Sequence, residues 1–142
     1  MTDWEVIDRV LDTLDLGLKR IKMEIVNLDD INVCDEEGSS LLMWIVLSWH
    51  IDAFKVVLSM PRIDVNKSNK YGDTALSMAI SDGCLIMVDR LLKCGAVITP
   101  ELLKLSHDLL TNGPFPGRLQ GAQGSLMFEV DYEGVYDRLK NN

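Results

Sequence analysis

The sequence has little of what a nucleic-acid-binding or membrane-spanning protein needs. Its 142 residues carry 14 Lys and Arg against 22 Asp and Glu, which gives a net charge of −8 at neutral pH. Because phosphate binding requires clustered cations, this balance argues against nucleic acid as a partner. The longest strongly apolar run covers residues 41–47, whereas a bilayer-spanning helix needs about 18 or more. We therefore predict neither a nucleic-acid partner nor a membrane span.

Cysteine is also scarce, which bears on cellular compartment and on metal binding. Cys34, Cys84 and Cys94 are odd in number and show no Cys-x-x-Cys spacing, so neither a disulfide framework nor a zinc site is indicated. Residues 1–5 lack the basic start and apolar stretch of a signal peptide. We expect a cytoplasmic protein whose three cysteines pack as small apolar side chains.

Groups that carry chemistry are equally few. His50 and His107 are the two histidines, and neither has a nucleophile or a second base at a fixed spacing. The acidic pairs Asp29–Asp30 and Glu36–Glu37 lack the alternating oxygen ligands of a calcium loop. The sequence therefore predicts no catalytic residue, no metal ligand and no cofactor. An enzyme with a site between the helices and the tail remains a remote alternative.

What is present is a helix hairpin in residues 71–96. Gly72 offers a turn position where positive φ costs little, and Thr74 is placed to cap a helix that ends at Gly83. A second amphipathic helix follows, with apolar residues at helical spacing, and Gly95 ends it. Such a hairpin cannot bury its apolar face alone, so neighbouring units must cover it.

A similar unit occurs 34 residues earlier in the chain. The matching pairs are Gly38 with Gly72, Ser40 with Thr74, and Leu42 with Leu76. This pattern resembles the ankyrin-repeat family, whose period is about 33 residues. Two positions depart from the family pattern, since Ile45 replaces a small Ala and Trp49 replaces the Gly between the helices. Because positive φ costs a non-Gly residue roughly 1 kcal/mol, we expect a different loop at Trp49.

The resemblance implies an all-α ankyrin-repeat solenoid with a C-terminal appendage that is not a repeat. Residues 1–112 form the repeat domain, with full repeats 33–67 and 68–98 between degenerate caps 1–32 and 99–112. In the N-terminal cap we expect Asp3 to cap the first helix, and Leu18, Ile21, Ile25 and Val26 to form the apolar face of the second. The outer face of this cap should be polar, because nothing stacks on it.

Residues 113–142 are interpreted as a Gly/Pro linker and a tail. The segment 126–133 alternates apolar and acidic residues as a half-buried strand would. It either covers the apolar edge of the last helices or belongs to a disordered tail with a docking peptide. Residues 132–135 and 136–139 resemble short tyrosine-based sorting or phosphorylation motifs, which often arise by chance.

The resemblance also implies where recognition residues lie, at the turn tips and at the exposed end of the first helix of each repeat. In the first full repeat the candidate protein-binding residues are Glu36, Glu37, Ser39, Leu47 and Ser48, with the neighbouring Trp49. In the second full repeat they are Lys70, Tyr71, Asp73, Ser81 and Asp82. Aromatic rings beside carboxylates suit the centre of a protein interface.

These observations favour a non-catalytic interaction module that is a monomer when free. It would bind another protein through the turn tips and the concave helix face. The acidic balance suits a partner with a basic surface. A narrower alternative is a small acidic inhibitor, such as an immunity or anti-defence protein, that occludes a basic enzyme.

Overall fold

The computed structural model describes residues 2–112 and 131–142, and within them the chain forms α-helices joined by turns. Helices α1 to α8 span, in order, Asp3–Asp12, Leu18–Val26, Leu41–Ser48, Ile51–Leu58, Ala75–Ser81, Leu85–Lys93, Pro100–Asn112 and Tyr132–Lys140. Extended pairing in the described residues is limited to the isolated bridges Cys34–Ser40 and Ser68–Thr74. The chain divides into two compact units, Met1–Ala75 and Leu76–Asn142, and each is taken in turn.

The first unit opens with the pair α1 and α2. The cap of α1 is Thr2 and not the expected Asp3. The Thr2 hydroxyl accepts from the backbone N–H of Glu5 at 3.2 Å, and the Glu5 carboxylate accepts from the backbone N–H of Thr2 at 2.6 Å. This reciprocal arrangement satisfies two backbone donors that would otherwise lack partners. Thr2 is the cap because its side chain reaches the backbone N–H three residues ahead. Asp3 already lies in the first turn of the helix.

The apolar face of α2 is narrower than the sequence suggested. Ile21 and Ile25 are fully buried, but Leu18 is 42% exposed and Val26 is 63% exposed. At 100° per residue, Val26 lies about 120° from the middle of the side that carries Ile21 and Ile25, whereas Leu18 shares that side and is exposed as the first residue of the helix. The expectation of a polar outer face on this cap is therefore wrong.

Helices α3 and α4 form the next hairpin, and α4 packs on α3 and on α2. Ser40 caps α3 as expected, with its Oγ accepting from the backbone N–H of Met43 at 3.3 Å. Trp49 ends α3 with φ 59° and ψ 22°, so the expectation of a different loop is wrong. Its indole is 9% exposed, and burial of this large ring offsets the unfavourable backbone conformation.

The turns before α3 and α5 have the same hydrogen bonds, 34 residues apart. Asp35 Oδ1 accepts from the backbone N–H groups of Glu37 and Ser39, and Asn69 Oδ1 accepts from those of Tyr71 and Asp73. Each turn also contains a glycine with positive φ, at 79° and 81°. The periodicity seen in the sequence is thus a periodicity of turn geometry.

In the second unit, α5 and α6 form the hairpin that the sequence predicts. Gly83 ends α5 with φ 65°, and Gly95 follows α6 with φ 94°. The apolar side chains predicted to form the core are buried, with Leu76 at 1% exposure and Leu91 at 0%. The left-handed glycine caps and the helical apolar stripe are both confirmed.

Helix α8 completes the second unit, where the sequence suggested the end of a strand. The strand prediction for residues 126–130 lies outside the described residues, but Tyr132 and Glu133 begin a helix. Asp131 starts this helix because its Oδ1 accepts from the backbone N–H of Gly134 at 2.7 Å. Val135 and Leu139 of α8 are buried at 0% and 2% exposure. Apolar residues four apart suit a helix face, and this spacing overrides the short alternation before it.

The packing of α8 resembles that of a second repeat helix. Helix α8 packs on α7 and α6, in the same pattern by which α4 packs on α3 and α2. Its start is joined to the α5–α6 loop, since the backbone N–H of Asp131 donates to the Gly83 carbonyl at 2.9 Å. Thr99 Oγ1 caps α7, the helix that α8 accompanies. The pair α7 and α8 therefore packs as the two helices of a repeat do, and a domain boundary at residue 113 stays a prediction.

Candidate protein-binding surface

The side chains at the two turn tips of the first unit lie together. We call Glu36, Glu37, Ser39, Lys70, Tyr71 and Asp73 the tip surface. The ring of Tyr71 is 68% exposed, and its hydroxyl donates to Glu37 Oε2 at 2.6 Å. Lys70 pairs with the same carboxylate oxygen, and its Nζ lies 5.2 Å from the centroid of the Tyr71 ring. The exposed ring is thus held by two neighbours, each from a turn tip.

Glu37 and Lys70 stabilise each other's charged form. The Lys70 ammonium and the Tyr71 hydroxyl, in that order, hold the pKa of Glu37 below its ordinary value. The Glu37 carboxylate in turn raises the pKa of Lys70. Glu36 differs from its neighbour, because its exposed side chain has no hydrogen-bonding partner within the part of the chain that the structure describes. The tip surface therefore combines an internally paired carboxylate with one that is open to a partner.

Backbone and side-chain bonds fix the two tips to each other. The backbone N–H of Lys70 donates to the Glu37 carbonyl at 2.9 Å, and Asn69 Nδ2 donates to Ser39 Oγ at 3.2 Å. A Cβ added to Gly38 would lie 3.3 Å from the Cα of Asn69, which shows how closely the turns approach. Ser39 therefore contributes to holding the tips together, and Asp73 is half-buried beside them.

The other predicted binding residues are not all accessible. Leu47 is 43% exposed and Ser48 is exposed, although the Ser48 hydroxyl already donates to the Ile45 carbonyl at 2.7 Å. Trp49 is 9% exposed and Ser81 is 7% exposed, so their prediction as contact residues is corrected to structural roles. The family pattern implied a solvent-facing position for Ser81, and Trp49 was included as an aromatic ring beside carboxylates, but its indole packs inward.

At Ser81 a later part of the chain provides the cover. Tyr132, the first residue of α8, donates its hydroxyl to the Ser81 carbonyl at 3.1 Å. Burial raises the pKa of Tyr132, with a smaller contribution from Asp82. Asp82 itself is half-buried in the second unit. Because α8 was not predicted, nothing in the sequence indicated that Ser81 is buried and should not be a candidate protein-binding residue. The tyrosine motifs are also inaccessible in part, since their apolar members Val135 and Leu139 are buried.

Sequence reasoning missed a cleft beside the first turn tip. It has a volume of about 500 Å³ and is lined by Thr2, Asp3, Trp4, Cys34, Asp35, Glu36 and Glu37. Trp4 meets Trp44 edge to face at 5.3 Å, and Trp44 Nε1 donates to Asp35 Oδ2 at 2.9 Å. Trp4 itself is 42% exposed. Its position at the start of the first helix was the sequence feature that could have indicated this exposure.

The histidines and cysteines have structural surroundings. His50 Nδ1 accepts from the backbone N–H of Ala53 at 3.1 Å and caps α4, which confirms its predicted role in the interhelical loop. The ring of His107 lies 5.5 Å from that of Tyr136 on α8.

Cys84 is buried but Cys94 is exposed, so the prediction that all three cysteines pack as small apolar side chains fails for Cys94. Over residues 2–112 and 131–142, three or more potential metal ligands nowhere converge.

None of the helices described here is both long enough and apolar enough to cross a bilayer. What these helices do form is a series of hairpins with tight glycine turns whose tips carry polar and aromatic side chains. This combination defines a helical-repeat protein.

Comparison with known proteins identifies the kind of repeat. The family model described as ankyrin repeats in three copies matches residues 15–101, and the chain therefore belongs to the ankyrin-repeat family. A stretch of 67 residues, 46% of this chain, is 36% identical to Inversin from Danio rerio, of which it covers 7%. The predicted family and its all-α repeat fold are confirmed. Ankyrin repeats generally mediate contacts between proteins, and the family is a non-catalytic interaction module.

Proposed function

We propose that this protein binds a partner protein through the tip surface, with Tyr71 as the central anchor. The observation that carries the proposal is that the Tyr71 ring is 68% exposed and yet held by Glu37 and Lys70. An aromatic ring that is already fixed loses little conformational entropy when a partner covers it. Rings of this kind are enriched at the centres of protein interfaces.

The carboxylates favour a partner with a basic surface. Glu36 is exposed, and the whole chain carries a net charge of −8. Charges at the rim of an interface act mainly on the rate of association, which they raise for a partner of opposite sign. Reversal of charge at Glu36 should therefore slow association and weaken its dependence on salt, while dissociation changes little.

The experiment begins with affinity capture from the native host and then measures binding of the purified partner by surface plasmon resonance. Tyr71→Ala should weaken binding by about 2 kcal/mol or more, as expected for a central anchor. Tyr71→Phe keeps the ring and removes only the hydroxyl bond to Glu37, so its effect should be much smaller. Lys55→Ala, at an exposed position on α4, serves as the matched control.

Unaltered binding by Tyr71→Ala, together with loss of binding by Lys55→Ala, would remove the tip surface from the proposal. Equal losses with Tyr71→Ala and Tyr71→Phe would instead locate the effect in the hydroxyl bond and contradict the anchor role. Circular dichroism and the melting temperature should stay nearly the same for all three variants, because Tyr71 and Lys55 are exposed.

A narrower form of the proposal is inhibition of a basic enzyme by occlusion. The small size and acidic balance of the chain favour it, and the cleft beside Trp4 adds exposed aromatic surface next to the carboxylates of Asp3 and Glu36. If the captured partner is an enzyme, its activity should fall in proportion to the fraction bound. We further propose a cytoplasmic protein that is a monomer when free.

A further inference from the structure

An exposed apolar face lies on α2. Its apolar members, with their exposed fractions, are Leu18 at 42%, Met23 at 49% and Val26 at 63%, and the 3₁₀ turn Leu14–Leu16 that precedes α2 ends in another exposed leucine, Leu16 at 65%. The adjoining side of α2 is fixed in the core, where Ile21 and Ile25 are fully buried. A group of large apolar side chains exposed on one face often marks an interaction site.

The same face is basic, although the chain as a whole is acidic. At 100° per residue, Lys22 lies between Leu18 and Val26 along the helix, and Lys19 lies beside Met23. The acidic residue of α2, Glu24, lies on the other side, where it pairs with Arg9 at 3.2 Å and with Arg20 at 3.9 Å. Within the part of the chain that the structure describes, the ion pairs do not include Lys19 or Lys22.

We propose that this α2 face docks an amphipathic helix of a partner protein whose apolar stripe is flanked by Asp and Glu. At 100° per residue, Leu18, Val26 and Met23 fall within about 140° of the circumference of α2, which gives an apolar face along which a helix can lie. Charge complementarity selects the acidic helix, since Lys19 and Lys22 would repel a basic one. The partner helix would contact a different surface from the tip surface.

Two other occupants fit the charges less well. A symmetric contact with a second copy would bring the same lysines face to face, at an electrostatic cost. An anionic membrane would attract the lysines but repel a chain of net charge −8. These two occupants are outcomes that the test must separate from the proposed one.

The probe is an acetylated 18-residue helical peptide with a leucine stripe flanked by glutamates, and the control peptide carries lysines in place of the glutamates. Isothermal titration calorimetry at low salt should detect binding of the glutamate peptide and not of the lysine peptide. Val26→Ser should weaken binding at least about tenfold. Lys22→Glu should weaken it about threefold to tenfold and make the remaining affinity less sensitive to salt.

Matched controls come from exposed residues on other elements. Val97→Ser, at 61% exposure, and Lys104→Glu, on α7, should bind the peptide as the unchanged protein does. Tyr71→Ala should also leave peptide binding unchanged, so that failure here is distinct from failure of the tip surface. Circular dichroism establishes that each variant is folded.

Three results would overturn the proposal. The first is equal affinity for the glutamate and lysine peptides, which would leave only unspecific apolar contact. The second is a dimer in sedimentation velocity that Val26→Ser abolishes, which would make a second copy the occupant. The third is binding to vesicles of phosphatidylcholine and phosphatidylserine that Val26→Ser abolishes, which would make a membrane the occupant.

Discussion

Replacement of Trp49 by glycine and by alanine separates two opposing contributions to stability. The indole is 9% exposed, so its removal should cost about 3 to 5 kcal/mol. The backbone lies at φ 59° and ψ 22°, a left-handed conformation that costs a residue with a Cβ about 1 kcal/mol. Trp49→Ala removes the ring but keeps the cost of the left-handed backbone, whereas Trp49→Gly removes both the ring and that cost.

Trp49→Ala should therefore lower the free energy of unfolding by about 3 to 5 kcal/mol and Trp49→Gly by about 2 to 4 kcal/mol. This order is the reverse of that at an ordinary helical position, where alanine is more stable than glycine by up to about 1 kcal/mol. The measurement is urea denaturation followed by circular dichroism, with comparison of midpoints at equal slope.

The reciprocal substitution Gly83→Ala places a Cβ on the matching residue of the second unit, where φ is 65°. It should cost about 1 kcal/mol for the same backbone reason. If Trp49→Ala proves as stable as Trp49→Gly, the chain does not carry left-handed strain at this corner and the reasoning is refuted.

Further substitutions address the core, the turn approach and the attachment of α8. Leu91→Ala should lower the free energy of unfolding by about 2 to 5 kcal/mol, because Leu91 is fully buried; an unchanged melting temperature would contradict the repeat core. Gly38→Ala should cost more than Gly72→Ala in denaturant titration, because a Cβ at Gly38 meets backbone at 3.3 Å while one at Gly72 meets nothing within 4 Å. Lys93 and then Arg138 hold the pKa of Asp89 below its ordinary 3.8, so the stability from this ion pair is present above that pH and is lost as the pH falls through the folded pKa. The cost of Arg138→Met, about 0.2 to 1 kcal/mol, should therefore disappear in acid, and a cost independent of pH would assign it to packing.

The repeat units were predictable because local geometry determines them. Gly72 and Gly83 need positive φ, and Ser40 begins a helix by capping it, so short-range rules suffice for these positions. The 34-residue shift then transfers one hairpin onto the other. The same locality explains why the tip residues Glu37 and Tyr71 were identified, although the bond between them was not.

Elements whose place depends on distant contacts were harder to predict. Helix α8 owes its position to contacts with α6 and α7, which no pattern in residues 132–140 reveals. The burial of Ser81 follows from α8 and was missed with it. On α2, periodicity alone could not show which members of the stripe are buried. Leu18, Ile21 and Ile25 share one side of the helix, yet Leu18, its first residue, is 42% exposed.

The late position of α8 in the chain has a consequence for how the protein forms during synthesis. Helix α7 is complete at Asn112, but the helix that packs on it follows only after residue 130. At about 5 to 20 residues per second, the ribosome needs roughly 2 to 6 seconds to add residues 113–142. For that interval the side of α7 that carries His107, whose ring lies 5.5 Å from that of Tyr136, has no α8 to cover it. Nascent chains stalled in this window should present a chaperone-binding site that is absent once α8 has been synthesised and packed.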